Sequence, residues 1–554
     1  MKKLLSLLLA LIVVFSLVAC APTDNKQGNQ QTGTPEDPVT ITLYPLNANL
    51  TSGKVGGWLG EYLLSKGIIL EIWPYSDEKF TAMVTAGNLP DMLYVSNKVP
   101  LDELSESNLL LDLDPYMDLL PHIAENAQIQ SALEYTREYV SAGVTNMVPL
   151  LVGGATKTID TERAAVKLYW EAYEQIGCPE IKTWDDLIDV LKQMKEVYPK
   201  SAVGDQTYGA RLFANDSSYF YSIYNWYVVN GVDVGELPYF IEVDTVNESF
   251  DYILEDDSQY KAGLAFFNKL YREGLLDPES MNKDRTTQQT AVTAGGSLAG
   301  WPGAPGWEQY GYYPVYIEES VSFRNESGNI LGNGSYISIS AQSEHIETCL
   351  KLLDMMANPD EIMVLREGPK GELWDVDDNG KAYITDKGYR YYAHGDKVKI
   401  NGEEYSLYNT PYILNTGAMT SYGVPYALAG SDEMLEYNAA TDLMNSWKET
   451  YPGYSGFREL LTEKEQFIND PFHSSASKFA EAISDEDKLI QKAAKDIIVQ
   501  ASWKMIYAET DAEFERLWDA AIAECEAAGI KAIYEWRVAE LEEGIEIKNS
   551  FFDK

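Results

Sequence analysis

Two dense groups of aromatic residues are the part of this sequence best suited to binding chemistry. Aromatic faces on loops stack on the C–H groups of sugar rings, and tyrosyl hydroxyls supply hydrogen bonds. The groups are Tyr219, Phe220, Tyr221, Tyr224, Trp226 and Tyr227, and then Trp301, Trp307, Tyr310, Tyr312, Tyr313 and Tyr316. Trp301 and Trp307 lie in a stretch rich in Pro and Gly, which is typical of a loop. The pattern favours a neutral carbohydrate ligand, although core packing accounts for many of these rings.

Residues with the spacing of common catalytic sites are missing. The sequence has no HExxH, GxSxG, GxxxxGK[ST] or GxGxxG, and it has only four histidines. We therefore expect no cofactor and no catalysis of these types. A carboxylate pair for glycoside hydrolysis stays open as an alternative, because 86 acidic residues offer many pairs whose convergence a sequence does not report.

One acidic string has the spacing of a calcium loop. Asp375, Asp377, Asn379 and Asp386 occupy positions 1, 3, 5 and 12 of such a loop, and Gly380 occupies the sharp-turn position. However, position 12 is Asp rather than the longer, bidentate Glu. The alternative, which we favour, is an Asn-Gly hairpin turn between two short apolar runs. No metal site is otherwise indicated.

The N-terminus reads as a targeting segment. Lys2 and Lys3 precede an apolar stretch that is shorter than a comfortable membrane span. The stretch ends in Leu-Val-Ala-Cys at Cys20, which resembles a bacterial lipobox and implies a diacylglyceryl group on that cysteine. Ordinary secretion with an incidental Cys is the alternative. Residues 21–38 contain no large apolar side chain, so we expect a flexible tether.

Composition limits the class of partner. With 43 Lys and Arg against 86 Asp and Glu, the net charge is −43, and a field of that sign repels nucleic acids and anionic lipid surfaces. The hydrophobic fraction of 45% is ample for folded cores. Cys178, Cys349 and Cys525 show no metal-ligand spacing, so buried free thiols are expected.

The elements expected to position the aromatic groups are alternating strands and helices. Strands are predicted at 39–43, 68–73 and 91–95, with helices at 57–64 and 77–86 between them, which is the order of a parallel sheet. Thr183 is the predicted N-cap of a helix at 184–198. Further helices are predicted at 170–176, 258–273, 344–356, 488–509 and 512–528, the last one ending at Gly529. The fold class is mixed α/β with a helical C-terminus.

An ordered series of motifs resembles a known family. The string FTAMVTAGNLPD at 80–91 is similar to a helix followed by "SGdlPDi". The strings at 169–177, 183–187 and 260–278 are similar to "RWDlYkelG", "TwdEl" and "yK-al-f-nkLy-eGLldP". The chain resembles the extracellular solute-binding lipoproteins of carbohydrate ABC importers, in the large oligosaccharide-binding branch of Gram-positive bacteria.

That resemblance implies two α/β lobes of the periplasmic-binding-protein type (class II) with a ligand cleft between them. It implies an N-terminal lobe of 39–150 and about 292–330, and a C-terminal lobe of about 151–291 and 331–554 with a helical extension. The crossings are then expected near 150–154, 292–297 and 320–333.

The resemblance also implies a function and a site. The expected protein is a lipid-anchored monomer on the extracellular face of the cell membrane that captures an oligosaccharide and delivers it to the permease subunits of an ABC importer. A binder of peptides or other small metabolites and a surface-anchored glycan-degrading enzyme are the alternatives. The expected ligand-binding residues are Ser96, Asn97, Trp301 and Trp307, with Trp226 and Trp374 as weaker candidates.

Overall fold

The computed structural model divides the chain into two compact units. It describes residues 32–45, 50–96, 101–156, 165–214, 223–300, 310–324, 329–405, 412–439, 441–469 and 472–552. Unit 1 contains the described residues up to Asn126, with Val140–Val148 and Ser335–Ala357. Unit 2 contains Ala127–Tyr139, Pro149–Gly334 and Asn358 onwards. The targeting segment, Cys20 and the first part of the expected tether lie outside the described residues.

Short strands and longer helices alternate along the described chain. The strands are β1 Val39–Tyr44, β2 Gly53–Lys54, β3 Ile68–Ile72, β4 Met92–Ser96, β5 Val148–Pro149, β6 Lys167–Tyr169, β7 Val232–Asp233, β8 Ile241–Asp244, β9 Ser249–Tyr252, β10 Tyr312–Pro314, β11 Ser322–Arg324, β12 Ser335–Ile339, β13 Trp374–Val376, β14 Ala382–Ile384, β15 Lys399–Ile400, β16 Glu403–Glu404 and β17 Phe467–Asn469.

The α-helices are α1 Gly57–Ser65, α2 Asp77–Ala86, α3 Leu101–Glu106, α4 Pro121–Ala124, α5 Ala127–Tyr139, α6 Trp170–Gln175, α7 Trp184–Val197, α8 Ile223–Val228, α9 Gln259–Arg272, α10 Arg285–Thr293, α11 Ile346–Met355, α12 Pro359–Glu367, α13 Asp386–His394, α14 Asp432–Ala439, α15 Asp442–Thr450, α16 Phe457–Glu463, α17 Asp485–Ile506, α18 Asp511–Ala527 and α19 Ile530–Phe552. The mixed α/β class and the helical C-terminus are thereby confirmed.

Unit 1 is built on a six-stranded sheet with the order β2-β3-β1-β4-β12-β5. Strands β3, β1 and β4 run parallel, with Val39 opposite Ile68 and Leu43 opposite Met92. The predicted β-α-β-α-β order is therefore confirmed. Strand β12 joins antiparallel to β4, so that Ser335 lies opposite Ser96.

The folded part of the chain begins before residue 38, where the expected tether ends. Gly33 donates its backbone N–H to the Thr348 hydroxyl at 3.1 Å, and Val39 donates its backbone N–H to the Gly67 carbonyl at 3.0 Å. A Cβ on Gly33 would lie 2.1 Å from the Gly67 oxygen, so only glycine permits this close approach. Residues 32–38 thus lie against unit 1 although they carry almost no apolar surface.

The division of the chain differs from the expected lobes at 292–330. Those residues belong to unit 2, where β10 pairs antiparallel with β6 and Tyr313 lies opposite Leu168. The segment that returns to unit 1 is instead Ser335–Ala357, which contains β12 and α11. Burial of Leu298 and Ala299 in the same core as Leu168 explains the assignment.

Local sequence signals account for the position at which helix α7 begins. Thr183 accepts the backbone N–H of Asp186 at 3.1 Å, and the Asp186 carboxylate accepts the backbone N–H of Thr183 at 2.9 Å. This capping box satisfies two donors of the first turn of α7 and confirms the predicted N-cap.

The C-terminal part of unit 2 contains one helix more than expected. Gly529 has a φ of +97° and ends the turn after α18 as predicted, but α19 begins at the next residue. Arg537 on α19 is buried and donates to both carboxylate oxygens of Glu236 at 2.8 and 3.1 Å. This bidentate pair ties α19 to the body of unit 2.

Two further properties concern the described residues alone. None of their helices has the length and apolar character needed to cross a membrane. Cys178, Cys349 and Cys525 are free; Cys349 and Cys525 are buried as expected, whereas Cys178 is half-buried, and burial raises the pKa of Cys349 and of Cys525 to about 12. These thiols are therefore inert packing groups at neutral pH.

Candidate functional site

The carboxyl ends of the parallel strands form the candidate binding edge of unit 1. In open α/β sheets, ligands bind outside these strand ends. Strand β1 ends at Tyr44, β3 is followed by Trp73, and β4 ends at Ser96. Because β1 lies between β3 and β4, the three strand ends are neighbours on one edge. Ser96 is half-buried there, and Asn97 lies outside the described residues.

Trp73 and Tyr75 provide the aromatic surface of this edge. Both rings are half-buried, and the Tyr75 ring lies 6.0 Å from that of Tyr44. The Tyr44 hydroxyl donates to the Ser76 carbonyl at 2.6 Å and accepts the Ser76 backbone N–H at 2.9 Å. A buried phenol therefore fixes the loop that carries both half-buried rings.

The Lys79 side chain contacts the same aromatic surface. The Lys79 ammonium lies 4.6 Å from the centroid of the Trp73 ring, a cation–π contact that holds the indole in place. The sequence predicts Trp73 as the last residue of a strand, and neither Trp73 nor Tyr75 is among the expected site residues. The available signal was an aromatic pair directly after a parallel strand.

Unit 2 has a corresponding edge. Tyr208 pairs in parallel with Ser297, and Ala210 pairs in parallel with Leu276. The chain leaves these extended segments through Ala214 and Gly300. The residues that follow, 215–222 and 301–309, lie outside the described residues and include Trp301 and Trp307. Because the pairing is parallel, the described segments around Tyr208 and Ser297 run in the same direction.

Arg211 holds this edge together from inside. Its guanidinium donates to Asp277 at 2.6 Å, to the Gly296 carbonyl at 2.8 Å and to the Gln206 carbonyl at 2.8 Å. Burial opposes ionisation of Asp277, but hydrogen bonds from Lys283 and the backbone, together with the Arg211 charge, lower the pKa of its carboxyl. Arg211 thus connects the segments that contain Gln206, Asp277 and Gly296.

The two weaker candidates are packed inside unit 2. Trp374 is 1% exposed and its indole N–H donates to the Gly368 carbonyl at 2.9 Å, so the ring fills a core and offers no face to a ligand. Trp226 is 4% exposed and donates to the Gln259 side chain at 3.2 Å. It lies on α8, against α9, rather than beyond a strand end.

The acidic string forms a hairpin. Trp374 pairs with Ile384 and Val376 with Ala382 across β13 and β14, which confirms the hairpin prediction. The Asp377 carboxylate accepts the backbone N–H groups of Asn379 and Lys381, both at 2.9 Å, and these bonds lower its pKa. Among the residues described, no three His, Cys, Asp or Glu side chains converge as metal ligands.

Comparison with protein families and solved structures adds independent information. The family model described as "bacterial extracellular solute-binding protein" matches residues 74–363, more than half of the chain. No curated protein sequence matches the chain.

Solved structures share the fold at low sequence identity. An extracellular solute-binding protein from Bifidobacterium longum subsp. infantis is 15% identical, with a TM-score of 0.60 over 93% of this chain and 100% of that one. An HMO-binding, ABC-transporter-associated solute-binding protein from Bifidobacterium longum infantis is 15% identical, with a TM-score of 0.57 over 92% and 99%. An S. pneumoniae ABC-transporter substrate-binding protein in complex with kestose is 14% identical, with a TM-score of 0.53 over 91% and 99%.

Proposed function

Because the chain belongs to the bacterial extracellular solute-binding proteins, we propose that it captures an extracellular oligosaccharide and delivers it to the permease of an ABC importer. The observation that carries the proposal is the edge of unit 1, where the half-buried Trp73 and Tyr75 rings and Ser96 follow the carboxyl ends of parallel strands. Aromatic faces beside hydroxyl groups suit a sugar ring. The ligands of two structural neighbours, HMO and kestose, agree with this class of ligand.

The proposed ligand residues are named for each unit by itself. Ser96 and Asn97 are the proposed ligand residues of unit 1, together with Trp73. Trp301 and Trp307 are the proposed residues of unit 2.

We place the mature protein at the outer face of the cell membrane. Cys20 is the proposed site of a diacylglyceryl group, which provides two acyl chains and hence a stable anchor. Residues 21–31 are the proposed spacer between this anchor and the folded body. The receptor is proposed to act as a monomer.

A thermal-unfolding screen tests the function. The mature chain with Cys20 replaced by Ser is heated alone and with a panel of oligosaccharides and control peptides. Ligand at 100 times its dissociation constant adds roughly 2.7 kcal/mol of stability, which raises Tm by at least a degree or two. A shift with one sugar class, and recovery of that sugar intact, is the expected result. A shift with peptides alone, or degradation of the sugar, contradicts the proposal.

A further inference from the structure

A groove on the helical side of unit 2 lies away from the strand ends. It is bounded by the first turn of α7, by α8 and by the exposed face of α9, and has a volume of about 490 Å³. We call it the Trp184 groove. Its size lies within the range of small-molecule sites, roughly 300–1,000 Å³.

The wall of the groove is a cluster of packed aromatic rings. The Trp184 ring centroid lies 4.8 Å from that of Trp226 and 5.9 Å from that of Phe266. Trp226 and Phe266 are buried, whereas Trp184 is half-buried and presents part of its indole to the groove. Trp226 itself is fixed against Gly263, where an added Cβ would lie 2.8 Å from the indole. The exposed part of Trp184 is therefore a preorganised stacking surface.

Polar groups with unused hydrogen-bonding capacity surround this surface. Gln259 uses its carbonyl oxygen for the Trp226 indole, which leaves its amide nitrogen as a donor. Asn230 uses its amide nitrogen for the Trp226 carbonyl, which leaves its oxygen as an acceptor. One oxygen of Glu319 accepts the Trp184 backbone N–H, and the other can accept from a ligand. The groove thus offers donors and acceptors beside an apolar face.

The charges in the groove select against an anion. The Lys269 ammonium is paired with Asp185 at 2.6 Å, so its charge is largely compensated. Glu319 adds a negative charge on the same surface. A neutral ligand meets no repulsion here, whereas a carboxylate or phosphate does.

We propose that the Trp184 groove is a second carbohydrate site, which binds one neutral pyranose ring by stacking on Trp184 and hydrogen bonding to Gln259, Asn230 and Glu319. It is separate from the proposed oligosaccharide site, because its lining residues lie on helices α7 to α9, just after α8 at Asn230, and at Glu319, not at the strand ends. A β-glucoside suits it, since its C–H groups form a flat apolar face on a ring with equatorial hydroxyls. The expected dissociation constant is on the order of a few millimolar for a ligand of this size.

Ligand-observed NMR with methyl β-D-glucopyranoside tests the proposal on the mature chain. The glucoside should bind saturably, and Trp184→Ala should weaken binding at least about 10-fold. Gln259→Ala keeps the Trp184 ring, although it removes the acceptor of the Trp226 indole N–H, and should weaken binding severalfold. The matched control is Trp536→Ala, which removes another half-buried tryptophan of unit 2 outside the groove and should leave binding unchanged. Methyl β-D-glucuronide should bind more weakly than the glucoside.

Three results overturn the proposal: no saturable binding, binding unaffected by both groove substitutions, or equal binding of the glucuronide. If Trp184→Ala does not fold, the Gln259→Ala titration decides alone. Binding of the oligosaccharide found in the thermal screen keeps the two proposals apart. The affinity for that oligosaccharide should be the same in Gln259→Ala as in the wild type. Loss of oligosaccharide binding in Gln259→Ala would mean that the groove belongs to the main site.

Discussion

Arg211 and Asp277 form an ion pair of 2.6 Å in the interior of unit 2, with side chains 6% and 2% exposed. The guanidinium also donates to the carbonyls of Gly296 and Gln206, so a single side chain joins the segments that contain Gln206, Asp277 and Gly296. Local order at this edge therefore depends on a contact between residues distant in the sequence.

Replacement of Arg211 by Met should destabilise the protein by about 3 kcal/mol. Removal of one partner from a buried ion pair costs about 3–5 kcal/mol, and Lys283, 2.9 Å from Asp277, keeps the loss at the lower end. Urea unfolding measures the change. The control, Lys492→Ala, breaks the exposed pair with Asp496 and should cost about 0–1 kcal/mol. Equal losses in the two variants would contradict the structural role of Arg211.

Substitution by Ala should lower ligand affinity at Trp73 and stability at Trp374. Trp73 is half-buried at the strand ends, so Trp73→Ala should weaken oligosaccharide binding at least about 10-fold and change Tm little. Trp374 is fully buried, so Trp374→Ala should cost about 3–5 kcal/mol of stability. Calorimetric titration and thermal unfolding of both variants measure the two effects. Unchanged affinity in Trp73→Ala would remove that residue from the site.

Glu242 should make stability fall as pH rises from about 4.5 to 7. Burial raises the pKa of its carboxyl to about 7, although Tyr227 and two backbone N–H groups donate to it. The folded state then holds a proton that the unfolded chain releases near pH 4.5, so stability is highest below that pH and is lost through this window. The loss is at most about 3 kcal/mol.

Urea unfolding of the wild type and of Glu242→Gln at pH 5 and pH 8 isolates this effect. The amide does not titrate, so the variant should lose less stability between the two pH values than the wild type. Identical losses in both proteins would show that Glu242 titrates normally.

The stability of the hairpin turn at Gly380 should depend on the backbone conformation of that residue and not on calcium. Gly380 has a φ of +84°, so Gly380→Ala should cost about 1–2 kcal/mol. Neither calcium nor a chelator should change Tm, because the Asp377 carboxylate is already bound by backbone N–H groups. Thermal unfolding with and without each reagent measures both effects. A rise in Tm with calcium would restore the calcium-loop interpretation.

Local pattern was sufficient for several of the regular elements of this chain. The alternation of apolar residues and the Gly and Pro breaks predicted β1, β3 and β4, and Thr183 predicted the start of α7, because strand period and helix capping depend on neighbours in sequence. The Asn-Gly turn predicted the hairpin for the same reason. The ordered motifs also predicted the family, which the match over 74–363 confirms.

Only the tertiary structure decided which of these residues face a core and which face a ligand. Trp374 and Trp73 look alike in the sequence, yet one is buried and the other half-buried, because burial is set by segments far away along the chain. The pairing of Ser335 with Ser96, the place of residues 292–330 in unit 2 and the bond from Arg537 to Glu236 have the same origin. Each joins residues across a separation that no local pattern spans.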